Sequence, residues 1–383
     1  MRVLFYVQNL LGIGHVVRAL RIASAIADRG GQVDLVLGGA PVEGLAAGAI
    51  RVTQLPPIKA GPGGFSDLVD AAGRPVDAAF KMRRRDTLLG ALETVRPDVV
   101  LIEAYPFGRR QMRFELMPLI ARARTLAPRP LVVSSIRDIL QEGRAAGRDA
   151  ETIRALRDAF DHVIVHADPG LVRLEATFPR AGEFATMTSY SGLVGPERPD
   201  AAAFDRRSAH AVVVSAGGGA VGTAVLRAAL EAKPMTRLND RRWLAVTGPG
   251  MAGADAAAMT RLAGSAGADV IRFAGDLPDR LARAELSISQ AGYNTVADVL
   301  AARCRAVLVP FAADGETEQT RRAELLAGMG LAVTVAEHTI SPERLAEAID
   351  RAMALPEAAS NIALDGANRT AAILSDLLSR HRG

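Results

Sequence analysis

Apolar residues in this chain gather in short unbroken runs, separated by longer stretches where they recur every three or four positions. The first half carries such runs at residues 2–7, 33–37, 98–103, 131–135 and 162–166. The second half repeats the pattern at 211–214, 243–246, 269–273, 286–289, 306–309 and 332–335. Continuous Val/Leu/Ile runs, unlike alternating ones, predict parallel strands covered on both faces, and the 3.6-residue stretches between them, such as 15–28, predict the covering helices. Periodicity fails twice. Residues 55–75 form a Pro- and Gly-rich loop without regular structure, a length usually kept for function. From 178 to about 205, Gly192, Gly195, Pro196 and Pro199 punctuate an interdomain linker. Residues 360–378 read as mostly helical, with Gly366 interrupting near the start. The expectation is an α/β protein of two doubly wound, Rossmann-like domains, 1–195 and 205–360, facing across a cleft, with the helix of 360–383 packing back on the first.

Composition narrows the function classes. The 383 residues suit two or three domains, and no run approaches the roughly 18 apolar residues of a membrane span. The chain opens directly on a strand, not on an export signal. Cys304 is the only cysteine, so no intrachain disulfide forms; it reads as a packing residue at a helix–strand junction, and a reducing cytoplasm fits. The formal charge is +4. Basic residues cluster at Lys81, Arg83, Arg84 and Arg85, and at Arg109, Arg110 and Arg113. Aromatics are only 4% of the chain, too few to interleave with these patches for nucleic-acid binding. An anionic substrate or lipid surface, or a plain solvated helix face, remains for them.

The chemistry sits at strand ends. Ser289-Gln290-Ala291-Gly292-Tyr293-Asn294-Thr295 runs from a strand through a small-residue turn into a helix, presenting free N–H groups and a positive helix end to an anion. Ser215-Ala216-Gly217-Gly218-Gly219 follows the first strand of the same domain, where its glycines can form an anion-binding nest, and lacks a Walker lysine. The two turns can grip one diphosphate. Asp298, one helical turn on, suits a ribose; Glu316, Glu318 and Gln319, after the strand ending at Pro310-Phe311, suit sugar hydroxyls. In the first domain, Gly12-Ile13-Gly14-His15 lacks the third glycine of the dinucleotide fingerprint, and no acid ends the second strand, which disfavours nicotinamide and flavin sites. A neutral His15 at the helix start could take a proton from a hydroxyl, or simply cap the helix. Glu103 or Asp138 could orient it or act as the base; ordinary capping and ion pairing among these charges is the alternative. No metal-ligand spacing is present.

Together these segments resemble the MurG-like glycosyltransferases of the GT-B fold, in layout over nearly the whole chain and most specifically from about 286 to 330. The resemblance implies a UDP-sugar held by the C-terminal domain. Its diphosphate would lie on Ser215, Gly217, Gly218, Gly219, Gly292, Asn294 and Thr295, its ribose on Asp298 and its sugar on Glu318 and Gln319. Gly12, Gly14, His15 and Arg18 would face the acceptor. Two departures stand out: the ribose acid is Asp298 where the family usually has Glu, and the family's paired glutamines are Glu318-Gln319 here. The segments around 103–113 and 134–138 do not look like MurG, so an acceptor other than the peptidoglycan lipid precursor is expected. The implied activity is inverting, metal-independent transfer of a hexose or N-acetylhexosamine from a nucleotide-diphosphate sugar to an acceptor hydroxyl. Such an acceptor could be anionic or lipid-linked and met at the inner membrane face. A hydrolase using water at the same Gly-x-Gly-His site, and a sugar-nucleotide-binding protein without catalysis, are the alternatives.

Overall fold

The computed structural model describes residues 1–10, 12–42, 48, 50–61, 64–143, 145–199, 210–218, 221–356 and 360–383. It divides into two compact units, Met1–Val194 with Asp365–Gly383, and Gly195–Leu364.

Unit 1 is built on the parallel strands β1 (Arg2–Val7), β2 (Gln32–Leu37), β3 (Arg51–Gln54), β6 (Val99–Glu103), β7 (Leu131–Arg137), β8 (His162–His166) and β9 (Thr188–Tyr190). Their order in the sheet is β3-β2-β1-β6-β7-β8-β9. Helices α1 (Gly14–Asp28), α2 (Ala78–Val95), α3 (Arg113–Ala123) and α4 (Arg148–Ala159) join the strands. Their burial accounts for the unbroken apolar runs: Val3 to Val7 and Val99 to Ile102 are all fully enclosed. Two readings are corrected. The loop predicted at 55–75 contains an antiparallel pair, β4 (Lys59–Gly61) and β5 (Gly64–Val69); Pro62 and Gly63 lie outside the described residues. The segment predicted as linker holds 3-10 turns at Ala181–Met187 and the edge strand β9, which pairs with β8. Both elements are short and only partly buried, so neither shows an apolar period.

Unit 2 carries β10 (Val212–Ser215), β11 (Trp243–Val246), β12 (Asp269–Ile271), β13 (Leu286–Ser289), β14 (Arg305–Leu308) and β15 (Val333–Thr334), all parallel, in the order β12-β11-β10-β13-β14-β15. Its helices are α5 (Thr223–Ala232), α6 (Gly253–Ala266), α7 (Leu277–Arg283), α8 (Tyr293–Ala302), α9 (Glu318–Gly328) and α10 (Pro342–Ala354). Val212, Val214, Trp243, Ile288, Val307 and Ile349 centre its core. The Trp243 indole N–H is satisfied by Leu238 O at 3.0 Å. Cys304 is buried at the junction of α8 and β14.

The last helix, α11, spans Gly366–Arg382 and packs on α1 of unit 1. It starts later than the periodicity predicts, because the residues just before it run extended: Leu364 O accepts from Gly195 N at 3.0 Å. Gly366 is its first residue, and a Cβ there would stand 2.5 Å from Gly192 O. Asp98 receives the Arg382 guanidinium and His381 meets Arg129 O at 3.1 Å, which fastens the far end.

Candidate active site

In unit 2 the strand order reverses direction between β10 and β13, and doubly wound sheets bind ligands outside the carboxyl ends at such a switch point. Ser215 is paired in register with Ser289, so the two glycine-bearing turns stand side by side. Gly217 (φ +57°) and Gly222 (φ +117°) adopt left-handed backbone that side chains rarely tolerate. Gly218 O accepts from Gly250 N at 2.9 Å. Gly219 lies outside the described residues. Helices α5 and α8 follow the turns with Gly222 and Gly292 as N-caps, and neither has a side-chain cap. Helix N-termini so placed favour an anion through their dipole and backbone N–H groups.

Two further observations mark this edge. Gln290 is buried against the first turn, where a Cβ on Gly222 would stand 3.3 Å from its Cδ. Among the described residues its Nε2 has no hydrogen-bond partner, and neither has the buried Ser289 Oγ; orphaned buried polar atoms of this kind call for an explanation. Gly292 has an ordinary extended φ of −64°, and among the described residues a Cβ there would meet only Thr295 Oγ1, at 3.9 Å. Their packing does not require that glycine. Close approach by a ligand would.

Asn294 and Thr295 lie in the first turn of α8, and Asp298 is buried one turn further on. Glu318, at the start of α9, is paired with the wholly buried Arg322 at 2.7 Å. Arg322 also donates to Ala291 O at 2.8 Å and lies 5.7 Å from the Tyr293 ring centre. Glu318 thus braces the turn before α8 through Arg322. Gln319 Oε1 accepts from Phe311 N at 3.2 Å, fixing the end of the loop that follows β14.

Unit 1 has its own reversal, between β1 and β6. Gly12, Gly14, His15 and Arg18 follow β1, and Glu103 ends β6. A Cβ on Gly12 would meet nothing within 4 Å among the described residues. His15 Nδ1 lies 2.7 Å from Glu103 Oε1 and its Nε2 lies 2.9 Å from Arg109 Nη2. A carboxylate only accepts and a guanidinium only donates, so these partners set the tautomer: Nδ1 carries the proton and Nε2 the lone pair. Arg18 donates to the same Glu103 Oε1. Burial pushes the His15 pKa down to about 4, against an upward pull from Glu103 and with a further downward push from Arg109. Burial opposes ionisation of Glu103, yet His15, Arg18 and Arg109 hold it well below the usual carboxylate range. The pair is a neutral imidazole backed by a carboxylate, an arrangement able to accept a proton at Nε2.

The carboxylate found against His15 is Glu103. Asp138 is wholly buried and accepts from Ile139 N at 2.8 Å. His166 is also wholly enclosed, between Ser135 Oγ at 2.7 Å and Ser191 Oγ at 2.9 Å, and burial holds its pKa down at about 3.

The basic run at 81–85 is not one solvated face. Arg84 continues the buried stripe of α2, with Leu88 and Leu92 at four-residue spacing, and is fully enclosed. It donates to Glu115 Oε2 at 2.6 Å, Gln8 Oε1 at 2.5 Å, Gly38 O at 2.7 Å and Pro56 O at 2.6 Å. These bonds order the carboxyl ends of β1 and β2 beside His15. Side chains on Gly38 and Gly39 would overlap Gln8, Arg84 and Asn9. Gln8, Arg84, Arg109 and Gln290 are the site residues whose roles the sequence did not disclose. Their one signal was position at a strand end or on a helix stripe.

Among the described residues no helix is long and apolar enough to cross a membrane. Nor does any group of three or more His, Cys, Asp or Glu among them stand placed to hold a metal ion.

Residues 212–374 match the model of the glycosyltransferase family 28 C-terminal domain. A UDP-N-acetylglucosamine--N-acetylmuramyl-(pentapeptide) pyrophosphoryl-undecaprenol N-acetylglucosamine transferase of Rhizobium etli (strain CIAT 652) is 34% identical over 116 residues, 29% of this chain and 31% of that one. The protein of the same description from Brucella anthropi is 39% identical over 90 residues, 24% of each chain. The match thus spans at most about a third of these curated relatives. Among solved structures, Acinetobacter baumannii MurG superposes with a TM-score of 0.62 at 19% identity, covering 98% of this chain and 99% of that one. LpCGTa in complex with UDP gives 0.61 at 16% identity, covering 100% and 99%. At these identities the likeness establishes the fold, which is GT-B.

Proposed function

We propose that this chain, a GT-B fold carrying a glycosyltransferase family 28 C-terminal domain, transfers a sugar from a UDP-linked donor to an acceptor hydroxyl. The observation that carries the reading is the pair of turns at the unit 2 switch point: two uncapped helix ends, an orphaned Gln290 amide and an unneeded Gly292, all inside the segment that matches the family model. An N-acetylhexosamine is the first donor to test, because the sequence relatives are described as UDP-N-acetylglucosamine transferases. The diphosphate lies on Ser215, Gly217 and Gly218 from one side and on Gly292, Asn294 and Thr295 from the other. Asp298 takes the ribose. Gln319 takes the sugar, with Glu318 acting through Arg322 to hold the turn.

His15 is the base. Its Nε2 receives the acceptor hydroxyl proton as that oxygen bonds to the anomeric carbon, and the bond from this carbon to the diphosphate breaks, releasing UDP. One in-line displacement inverts the anomeric configuration. Helix ends and glycine amides stabilise the charge that develops on the leaving diphosphate, so no metal is obligatory. The acceptor is a hydroxyl compound carrying an anionic or lipid-linked group.

The test is a thermal-shift series with UDP, UDP-N-acetylglucosamine and UDP-glucose, in EDTA and in magnesium. UDP compounds are expected to raise Tm equally in both, and Asp298→Asn is expected to reduce the rise. No shift with any of them would overturn the donor assignment; a shift only with magnesium would overturn metal independence.

A further inference from the structure

Arg109 stands where the proposed base has to work. It follows the loop after β6, and its Nη2 occupies the Nε2 lone pair of His15 at 2.9 Å while its Nε donates to Gln8 O at 2.8 Å. An imidazole whose lone pair already accepts a hydrogen bond cannot take a proton from a hydroxyl. Either His15 is not the base, or Arg109 leaves it during turnover.

Three features favour departure. Arg109 is in no ion pair among the described residues, whereas Arg18 and Arg84 have Glu103 and Glu115. A half-buried guanidinium whose partners are a carbonyl and a neutral ring is poorly compensated, and an incoming anion would be gained. Its surroundings are cation-rich: Arg137 and Arg18 both act on it, and Glu103 is the carboxylate that offsets them. Glu103 gives Oε1 to both His15 and Arg18, and its buried Oε2 has no hydrogen-bond partner among the described residues. Finally, the loop is held at both ends by non-glycine residues in left-handed backbone, Ala104 (φ +65°) and Arg109 itself (φ +56°). Such conformations are strained and recur at elements that switch.

We propose that Arg109 is a latch on the base. In the free protein it covers His15 Nε2; an oxyanion carried by the acceptor draws the guanidinium away, so that the base is uncovered only when an acceptor is present. This rests on the glycosyltransferase reading for its purpose but not for its test. Arg109 is a positioning residue with two effects: it admits anionic acceptors and denies water a free base, which protects the donor from hydrolysis.

The experiment follows the His15 imidazole by ¹⁵N NMR in the full chain, with His15→Ala identifying its signals. The charged groups facing the ring are Glu103 at the end of β6, Arg18 on α1 and Arg109. Sulfate serves as the oxyanion probe, against chloride at equal ionic strength. In the wild type, sulfate is expected to move the Nε2 resonance saturably toward that of an unbonded ring nitrogen. In Arg109→Gln the resonance should already lie there without sulfate, the His15 titration should move up by about one unit, and sulfate should have no effect. Arg109→Met, which removes both the charge and the donors, provides the same comparison should the glutamine variant not fold. An unmoved Nε2 signal in the wild type with sulfate, or wild-type titration in both variants, would overturn the latch. With UDP-N-acetylglucosamine and no acceptor, Arg109→Gln should hydrolyse the sugar several-fold faster than the wild type. If the NMR result holds and no sugar chemistry occurs in either protein, the latch stands and the transferase reading fails.

Discussion

In His15→Ala, sugar transfer is expected to fall by about 10²–10⁴-fold, the usual contribution of a positioned general base, while UDP affinity stays unchanged. The loss belongs in kcat, because His15 is assigned to the proton and not to the donor. His15→Gln separates this role from packing: it fills the same space and accepts a hydrogen bond from Arg109 but cannot take up the proton, so it should be as inactive as the alanine variant. The pH profile supplies the sign. With the free-enzyme pKa of His15 held down at about 4 by burial, the neutral, competent form predominates above that value. The acid limb of kcat/KM should therefore fall as pH drops through about 4, not near the ordinary 6.5. Measuring UDP release across pH decides it. Inactivation centred near 6.5, or a His15→Gln variant with wild-type turnover, would remove His15 from the chemistry.

Arg84→Met should destabilise unit 1 by about 3–5 kcal/mol, the cost of leaving one partner of a buried ion pair unpaired. Glu115 would be left in a dry interior with Tyr6 Oη, at 2.5 Å, as its remaining partner. The same substitution frees Gln8 and Gly38 O, so the β1 and β2 strand ends beside His15 should loosen as well. Arg85, the next residue, is paired among the described residues with the exposed Asp86 alone, and Arg85→Met should stay within about 0.5 kcal/mol. Denaturant midpoints of the two variants compare a buried and an exposed arginine from one run. Equal midpoints would show that Arg84 does not carry the load its bonds imply.

These adjacent arginines illustrate how far the sequence could be read. The α/β class, with all the long strands of both units, follows from continuous apolar runs, since enclosure on both faces leaves no room for alternation. Strand edges with mixed burial, such as β3 with its exposed Val52, leave no such trace. The turn after β10 was legible because a φ of +57° at Gly217 demands glycine, whereas Gly292 has ordinary backbone. The partners of charged residues were not. Nothing in the run Lys81-Met82-Arg83-Arg84-Arg85 marks Arg84 as the buried one until the helix phase is fixed by Leu88 and Leu92. Likewise Glu103 and Asp138 were equal candidates beside His15, because both follow strands that end at the same edge. Their separation came only from side-chain direction. Glu318, read as a sugar ligand, turned out to be engaged with Arg322, whose reach to Ala291 O spans 31 residues of sequence.

The most direct test of the donor assignment is calorimetric titration of UDP and UDP-N-acetylglucosamine into the wild type and Gly292→Ala. Among the described residues the added methyl meets only Thr295 Oγ1, at 3.9 Å, and the backbone there is ordinary. Tm should therefore change little. If the diphosphate rests against this backbone, the methyl takes its place, and affinity should drop at least about tenfold, or roughly 1.4 kcal/mol. Unchanged UDP affinity in a fully folded Gly292→Ala, or no binding heat in the wild type, would contradict the account.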